Sequence, residues 1–427
     1  MENAGADACC GASLRTSEMH IEPQRTVVEL KELRALTADE HGAQRIAWSD
    51  TWLQAREWFT AKLRDLPVEH HYDAAANHWI TLRGAPDKAL ILGSHLDSVP
   101  NGGWLDGCLG VLAALETLRA FAQARPPVTV RLVDWADEEG ARFGRSLLGS
   151  SAFAGTHSIE ADRGRTDKDG IRLEDAVRRC GYNLSRFPEA ARERADAAAY
   201  LELHIEQGPV LERLGLPLGV VLGTKGVERH QIVFHGQEAH SGSTPMQARR
   251  DALAAASKLA LEIRNIAGKH PDAVCTIGSV KTFPGIVTAV VGRCEAALDQ
   301  RDLDANILAG MHREAREASQ RFAEQEGCTV EWSRIWNIEP VPFHRDLIEL
   351  CETAVREVAG TAHRMPSGPL HDAAEVSRAG IPTVMMFVQS LQGISHNKIE
   401  DTKEEHLALA VRAFARLAEK TAEWILK

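Results

Sequence analysis

No apolar run in the chain approaches the ~18 residues that a membrane span needs. The N-terminal stretch MENAGADACCGASLRTSE lacks the apolar core of a secretory signal, and the first dozen or so residues read as unstructured. Positive charge is scarce: 49 Lys and Arg against 60 Asp and Glu give a formal net charge of -11. That balance excludes nucleic acid or an anionic membrane as the main partner and leaves room only for local basic pockets. The eight cysteines, Cys9, Cys10, Cys108, Cys180, Cys275, Cys294, Cys328 and Cys351, are scattered and form no C-x-x-C pair. In a chain this long they predict reduced, mostly buried thiols in a cytoplasmic protein, not a disulfide frame. G-x-G-x-x-G and the P-loop are missing, and GRSLLGSS (144–151) is not a nucleophile elbow. There is no internal repeat and no low-complexity tract.

What the chain does have is length and a core. At 427 residues and 44% hydrophobic it suits two domains, or one large domain with an insertion. Residues 24–65 carry helical spacing of apolar side chains. Segments 78–84 and 88–97 read as strands, 110–124 as an amphipathic helix and 128–140 as a strand followed by a loop. Residues 158–198 are charged and read as helical. Strand 198–209 alternates Leu201, Leu203 and Ile205 with Glu202, His204 and Glu206. Strands alternating with helices predict an α/β layer structure, and ligands gather beyond the carboxyl ends of such strands. The character then changes. Strands at 219–237, a helix at 244–267, strands at 275–283 and 292–304, a helix at 305–325 and a strand at 328–336 follow the ferredoxin-like order. A helix at 346–360, a strand at 381–388 and a helix at 404–425 return to the first style. The predicted fold is therefore α/β, a central mixed sheet flanked by helices, with an inserted ferredoxin-like α+β unit. The predicted division is 1–212, an insertion at 213–328, and 329–427.

Chemistry-bearing residues collect where strands run out. His95-x-Asp97 with Asp106 follows the apolar run ALIL. Asp137-Glu138-Glu139 follows RLVDW. His204 lies on the polar face of its strand, and His396 in the loop GISHN. Buried charge is expensive unless paired or bound to metal. Imidazoles with carboxylates suit zinc, manganese or cobalt, and a carboxylate can bridge two ions. Asp97 is placed to orient the His95 imidazole. Each feature alone is also an ordinary turn or a solvated loop, and spacing leaves both readings open. His240 in EAHSGSTP suits a substrate contact or a plain hairpin. Arg301 in DQRDLD suits a carboxylate grip or pairing with its acidic neighbours.

In their order, GSHLDSVPNGGWLDGCLGV, DWADEEGARFGRSLLGS, LHIEQGPVLE, EAHSGSTPMQARRDAL, SGPLHDA and GISHNKIEDT resemble the metal-dependent aminoacylase and carboxypeptidase-like superfamily. The branch they resemble is that of N-carbamoyl-L-amino-acid hydrolases, beta-ureidopropionases and allantoate amidohydrolases. The resemblance implies a metallopeptidase-like catalytic unit and two divalent ions (zinc, or manganese or cobalt). It implies Asp106 as bridging ligand, His95, Glu139, His204 and His396 as the other ligands, and Glu138 as general base and acid. His240 would stabilise the oxyanion across a homodimer formed through the inserted unit, which serves as lid and dimerisation surface. Gln207, Arg301, Thr288 and Gly368 fall at substrate-contacting positions, with Arg301 on a carboxylate. The implied reaction is hydrolysis of a linear C–N bond in a small carboxylate-bearing substrate, foremost an N-carbamoyl-L-amino acid, giving amino acid, carbon dioxide and ammonia. N-acyl-amino-acid or dipeptide hydrolysis, allantoate hydrolysis and a silent binding protein are the other readings; the last predicts loss of a ligand or of the base, and none is lost. In FPGIVTAVVGR (283–293), Thr288 stands where the resemblance implies an asparagine. Pro369-Leu370 stands where small residues are common. Both changes make the pocket rim more apolar and favour an apolar amino-acid substrate over allantoate.

Overall fold

A computed structural model describes residues 19–427 apart from 86–87 and 125. The predicted unstructured N-terminus, with Cys9 and Cys10, lies outside the described residues. In chain order the strands are β1 (Glu69–Tyr72), β2 (His78–Leu82), β3 (Ala89–His95), β4 (Thr129–Trp135), β5 (Ala197–Ile205), β6 (Leu218–Thr224), β7 (Gly226–His235), β8 (Val274–Phe283), β9 (Arg293–Asp302), β10 (Thr329–Ile338), β11 (Val341–Pro342), β12 (Arg364–Ser367) and β13 (Thr383–Val388). The longer helices are α1 (Pro23–Thr37), α2 (Asp50–Ala61), α3 (Cys108–Ala124), α4 (Ala252–Ala267), α5 (Ala305–Gln325), α6 (Arg345–Ala359) and α7 (Glu404–Ile425).

The large sheet has nine strands in the order β11-β6-β13-β5-β3-β4-β2-β1, with β12 alongside β6. Strands β13, β5, β3 and β4 run parallel, whereas β2 runs antiparallel to β4 and β6 antiparallel to β13, with β12 parallel to β6. The sheet is mixed, as the sequence predicts. Every residue of β3 and β4 is buried, because helices cover the sheet; this is why these strands read as continuous apolar runs. Helices α3 and α7 pack on β3 and β5, with α1 against both. The short helix Asp372–Arg378 packs on β5 and β13 and against the helix Leu148–Ala154. The polar face predicted for β5 exists but is not solvated: Glu202, His204 and Glu206 are all buried. Because the four central strands are parallel, their carboxyl ends share one edge. His95 ends β3, Asp137–Glu139 follow β4, and His204 and Gln207 lie at the end of β5.

The second sheet has four antiparallel strands in the order β8-β9-β7-β10. Helices α4 and α5 cover one face, around Ile232, Phe234, Leu259 and Leu298. This sheet runs from Gly226 to Ile338, displaced toward the C-terminus from the 213–328 segment. Strand β6 (218–224) belongs to the large sheet, and β10 completes the small one.

Local chemistry sets several boundaries that periodicity alone misplaces. The 24–65 segment divides into α1 and α2, with Pro23 opening the first and the Ser49 side chain accepting the Trp52 N–H at the start of the second. Helix α4 starts at 252, not 244, because Asp251 accepts the N–H groups of Leu253 and Ala254. The 158–198 segment holds two short α-helices, Ile159–Asp162 and Leu173–Arg179, and a 3-10 stretch, Leu184–Arg194, with Gly164, Gly170 and Gly181 in the breaks between them. The six described cysteines are free thiols.

Candidate active site

The carboxyl edge of the large sheet faces the small sheet across a cleft of about 240 Å³. Asp106, Glu138, Glu139, His204, Gln207, His371 and His396 line one side; Val227, Arg229, Arg301 and Trp336 line the other. A larger cavity of about 670 Å³ lies beside α2 and β1, lined by Arg56, His70, Tyr72 and Tyr182 among others. Among the described residues no set of converging ligand groups lies in it, so volume alone does not mark the site.

Asp106 is the centre. Its Oδ1 lies 3.1 Å from His204 Nε2 and 3.8 Å from His95 Nε2. Its Oδ2 lies 3.5 Å from His396 Nε2, which is itself 3.3 Å from Glu139 Oε2. Two ligand-bearing sets thus share Asp106: His95–Asp106–His204 and Asp106–Glu139–His396. Glu138 stands alongside, its Oε2 3.7 Å from His95 Nε2. All five residues predicted as ligands, and the predicted base, therefore come together from separate stretches of chain.

The backbone is shaped to allow this. Gly107 has φ +65°, and a Cβ there would sit 2.4 Å from the His95 ring. Asp137, Leu147, Gln207 and His396 all hold positive φ, a conformation non-glycine residues adopt at a cost and typically at functional sites. The Asp97 carboxylate lies 3.6 Å from His95 Nδ1. Its oxygens accept the N–H groups of Glu138 and Glu139, both at 3.2 Å, fixing the acidic loop. The Asp97 carbonyl oxygen lies 3.1 Å from His95 Nδ1, and the Ile205 carbonyl 3.0 Å from His204 Nδ1. A carbonyl only accepts, so both rings carry hydrogen on Nδ1 and turn Nε2 inward, as ligating histidines do.

The electrostatics mark a pocket short of positive charge. Burial, then the nearby Asp372 and Glu139 carboxylates, push Glu138 well above the usual carboxylate range. Burial and Asp106 do the same to Glu139. Burial alone would lower His204, but its hydrogen bond to Asp106 lifts it to about 9. Glu139 Oε1 is buried without a hydrogen-bond partner, and His204 Nε2 faces Asp106 Oδ1 at 3.1 Å. A divalent cation satisfies these atoms and the excess of carboxylate, so the donor set fits one.

The remaining predicted residues divide. Gln207 donates to Asp106 Oδ2 at 2.9 Å. Arg301 faces the same cleft, and its guanidinium reaches the Gly368 carbonyl at 3.4 Å. His240 and Thr288 lie elsewhere on this chain, both exposed: His240 on the short pair of Ala239–His240 with Ala289–Val290, Thr288 in the turn just before that pair. Pro369 and Leu370 line the cleft, giving it the apolar rim read from the sequence.

The structure adds residues that sequence reasoning passed over. His371 is buried, packs 4.4 Å from the His204 ring, and has no partner for Nε2. Asp372, next in the chain, is also buried, with the Ser150 hydroxyl on its carboxylate. The Ser395 hydroxyl lies 2.9 Å from both Asp106 Oδ2 and Glu400 Oε2 and bridges the two carboxyl groups. Glu400 also accepts the Asp106 N–H at 3.1 Å. The stretches LHDA and SHNKIE contained these residues; only their convergence in space was missing. A separate group, Glu228–His230–His312, lies on the helix side of the small sheet. Its two imidazoles stack 4.2 Å apart with planes at 15°.

A cleft of this build, with histidines and carboxylates at the carboxyl edge of a helix-covered mixed sheet, is that of a metal-binding hydrolase. A family model, peptidase family M20/M25/M40, matches residues 91–420. The chain belongs to that family, and it is an amidohydrolase. It is 35% identical over 371 residues to an N-carbamoyl-L-amino acid amidohydrolase of Geobacillus stearothermophilus, covering 85% of this chain and 90% of the relative. It is 34% identical over 384 residues to an allantoate amidohydrolase of Escherichia coli, covering 88% and 92%. Among solved structures, an amidase of the hydantoinase/carbamoylase family from Burkholderia phymatum is 34% identical, with TM-score 0.86 over 95% of this chain and 99% of that one. Peptidases of this family generally bind divalent metals, in keeping with the donor set. Among the described residues no helix is long and apolar enough to cross a membrane.

Proposed function

We propose that the chain hydrolyses the carbamoyl C–N bond of an N-carbamoyl-L-amino acid in the cytoplasm, giving the amino acid, carbon dioxide and ammonia. The observation that carries this is the pair of ligand sets joined at Asp106, beside a buried Glu138 and across a cleft from Arg301. His95, His204 and Asp106 would hold one divalent ion; Asp106, Glu139 and His396 would hold the second. Zinc suits the two-histidine set, and manganese or cobalt suits the more acidic one. Bound there, two cations supply Lewis-acid polarisation of the scissile carbonyl and a lowered pKa for water.

The chain's own residues do the rest. Arg301 takes the substrate carboxylate and so sets how deep the scissile group reaches. Glu138, high in pKa through burial, accepts a proton from the attacking water and returns it to the leaving nitrogen. Gln207, anchored on Asp106, offers its buried, unpartnered Oε1 toward a substrate N–H. Gly368 contributes backbone beside Arg301. Pro369 and Leu370 favour an apolar side chain over a strongly polar substrate. His240 and Thr288 are exposed and outside their own chain's cleft. This supports a homodimer in which the small unit acts as lid and dimerisation surface and supplies His240 to its partner's oxyanion.

Ammonia and free amino acid, measured together from metal-loaded protein, test the reading. The substrates are paired N-carbamoyl and N-acetyl derivatives of leucine, methionine and phenylalanine, with allantoate alongside. Equimolar ammonia and amino acid from the carbamoyl series supports it. Amino acid from the acetyl series alone would make the protein an N-acyl-amino-acid hydrolase.

A further inference from the structure

The small-sheet wall of the cleft carries an arrangement that the reading above does not use. Strand register places it. In the antiparallel sheet, Arg229 on β7 stands directly opposite Asp299 on β9 and Trp336 on β10, while Arg301 stands opposite Val227. Directly opposed residues share a face, so Arg229, Asp299, Arg301, Val227 and Trp336 form one patch. It lies on the face away from helices α4 and α5.

Trp336 reaches this face only through a register shift. The pairing moves by one residue between Arg334 and Trp336. Without it, period-two alternation would send Trp336 to the helix side with Trp332 and Arg334. Such bulges re-aim side chains and recur next to active sites.

The contacts within the patch are specific. Asp299 accepts from Arg229 Nε at 2.8 Å and from Arg301 Nε at 2.9 Å. The Arg229 guanidinium carbon lies 5.1 Å from the Trp336 ring centre, a cation–π distance. One carboxylate thus holds two guanidiniums, leaving a net positive charge on this wall. Arg229, Arg301 and Trp336 all line the cleft opposite Asp106, Glu138 and Glu139.

We propose that Arg229 is the second arm of the carboxylate grip: Asp299 aligns both guanidiniums, Trp336 braces Arg229, and the substrate carboxylate is held between the two arms. The inference rests on reading the cleft as an amidohydrolase site for amino-acid derivatives. It narrows the substrate to an anion whose carboxylate lies on the small-sheet side and whose scissile group points at the acidic edge. A neutral amide or ester of the same compound lacks the group that both arms take.

The test compares wild type, R229M and R229K on the N-carbamoyl amino acid turned over best and on its neutral C-terminal carboxamide. Removing a charge-assisted bond predicts that R229M raises KM for the carboxylate about tenfold or more with kcat within about threefold. R229K recovers part of that loss, and the carboxamide is unaffected by either change. A KM for the carboxylate within about twofold of wild type, or an equal loss on the carboxamide, would overturn the grip. Should wild type turn over none of these compounds, the functional reading fails and the grip is judged separately. Calorimetry with the free amino acid then gives about tenfold weaker binding to R229M if Arg229 grips the carboxylate, and unchanged binding if it does not.

Discussion

Replacing Glu138 by glutamine keeps the side chain's shape and removes its proton chemistry. If Glu138 moves the proton, E138Q loses turnover by about 10³-fold or more while its bound-metal content, measured by elemental analysis, stays at the wild-type value. Gly107 tests the scaffold. Its positive φ, and the 2.4 Å that would separate an added Cβ from the His95 ring, leave no room for alanine. G107A is expected to displace His95 and cost about 1–3 kcal/mol of stability from the backbone strain alone, measured by denaturant unfolding. Residue chemistry was the most legible level. His95, Asp106, Glu139, His204 and His396 could be named because imidazoles and acids at strand ends are unusual and their stretches resemble a known branch. His371, Asp372 and Glu400 were not, because what distinguishes them is burial against the ligand set, which no spacing encodes. Asp97 was named for its hold on His95, which its backbone carbonyl makes at 3.1 Å with its carboxylate at 3.6 Å; that the same carboxylate also holds the acidic loop was not foreseen.

Within the elements, β2 offers a clean pH test away from the site. His78 is fully buried, stacked on Tyr72 at 4.1 Å and edge-on to Phe59 at 5.8 Å. Burial, reinforced by the Arg56 charge, lowers its pKa to about 2. The unfolded chain therefore takes up a proton below about pH 6.5 that the folded chain refuses, so stability is complete above that pH and falls as pH drops. Stability measured from pH 7 to 4 should decline more shallowly in H78Q, by up to about 1.4 kcal/mol per pH unit. An unchanged slope would contradict the buried neutral state. At this scale the sequence revealed strands and helices through periodicity. It did not reveal interruptions set by single side chains, such as the Asp251 cap that delays α4. Nor did it reveal the register shift at Trp336, because a bulge breaks the alternation by which faces are read.

At the level of the whole molecule, the fold class, mixed sheet and ferredoxin-like order were legible because strand and helix patterns change character along the chain. The limits of the small sheet were not, since β6 and β7 are separated only by Lys225 and read as one segment. The proposed dimer makes a direct prediction. His240 is exposed and outside its own cleft, so H240A and E138Q, each inactive alone, should complement when mixed and exchanged. Half the exchanged dimers are mixed and each holds one intact site, giving about a quarter of wild-type activity per chain. No recovery would place His240 outside the reaction or the chain outside a dimer. The central claim, a hydrolase working with two cations joined at Asp106, is tested most directly by metal titration of chelator-stripped protein with activity and bound metal read together. Ammonia release from an N-carbamoyl amino acid should rise to its maximum at two ions per chain, with E138Q binding the same two ions and releasing none. Full activity at one ion per chain, or in the stripped protein, would contradict it.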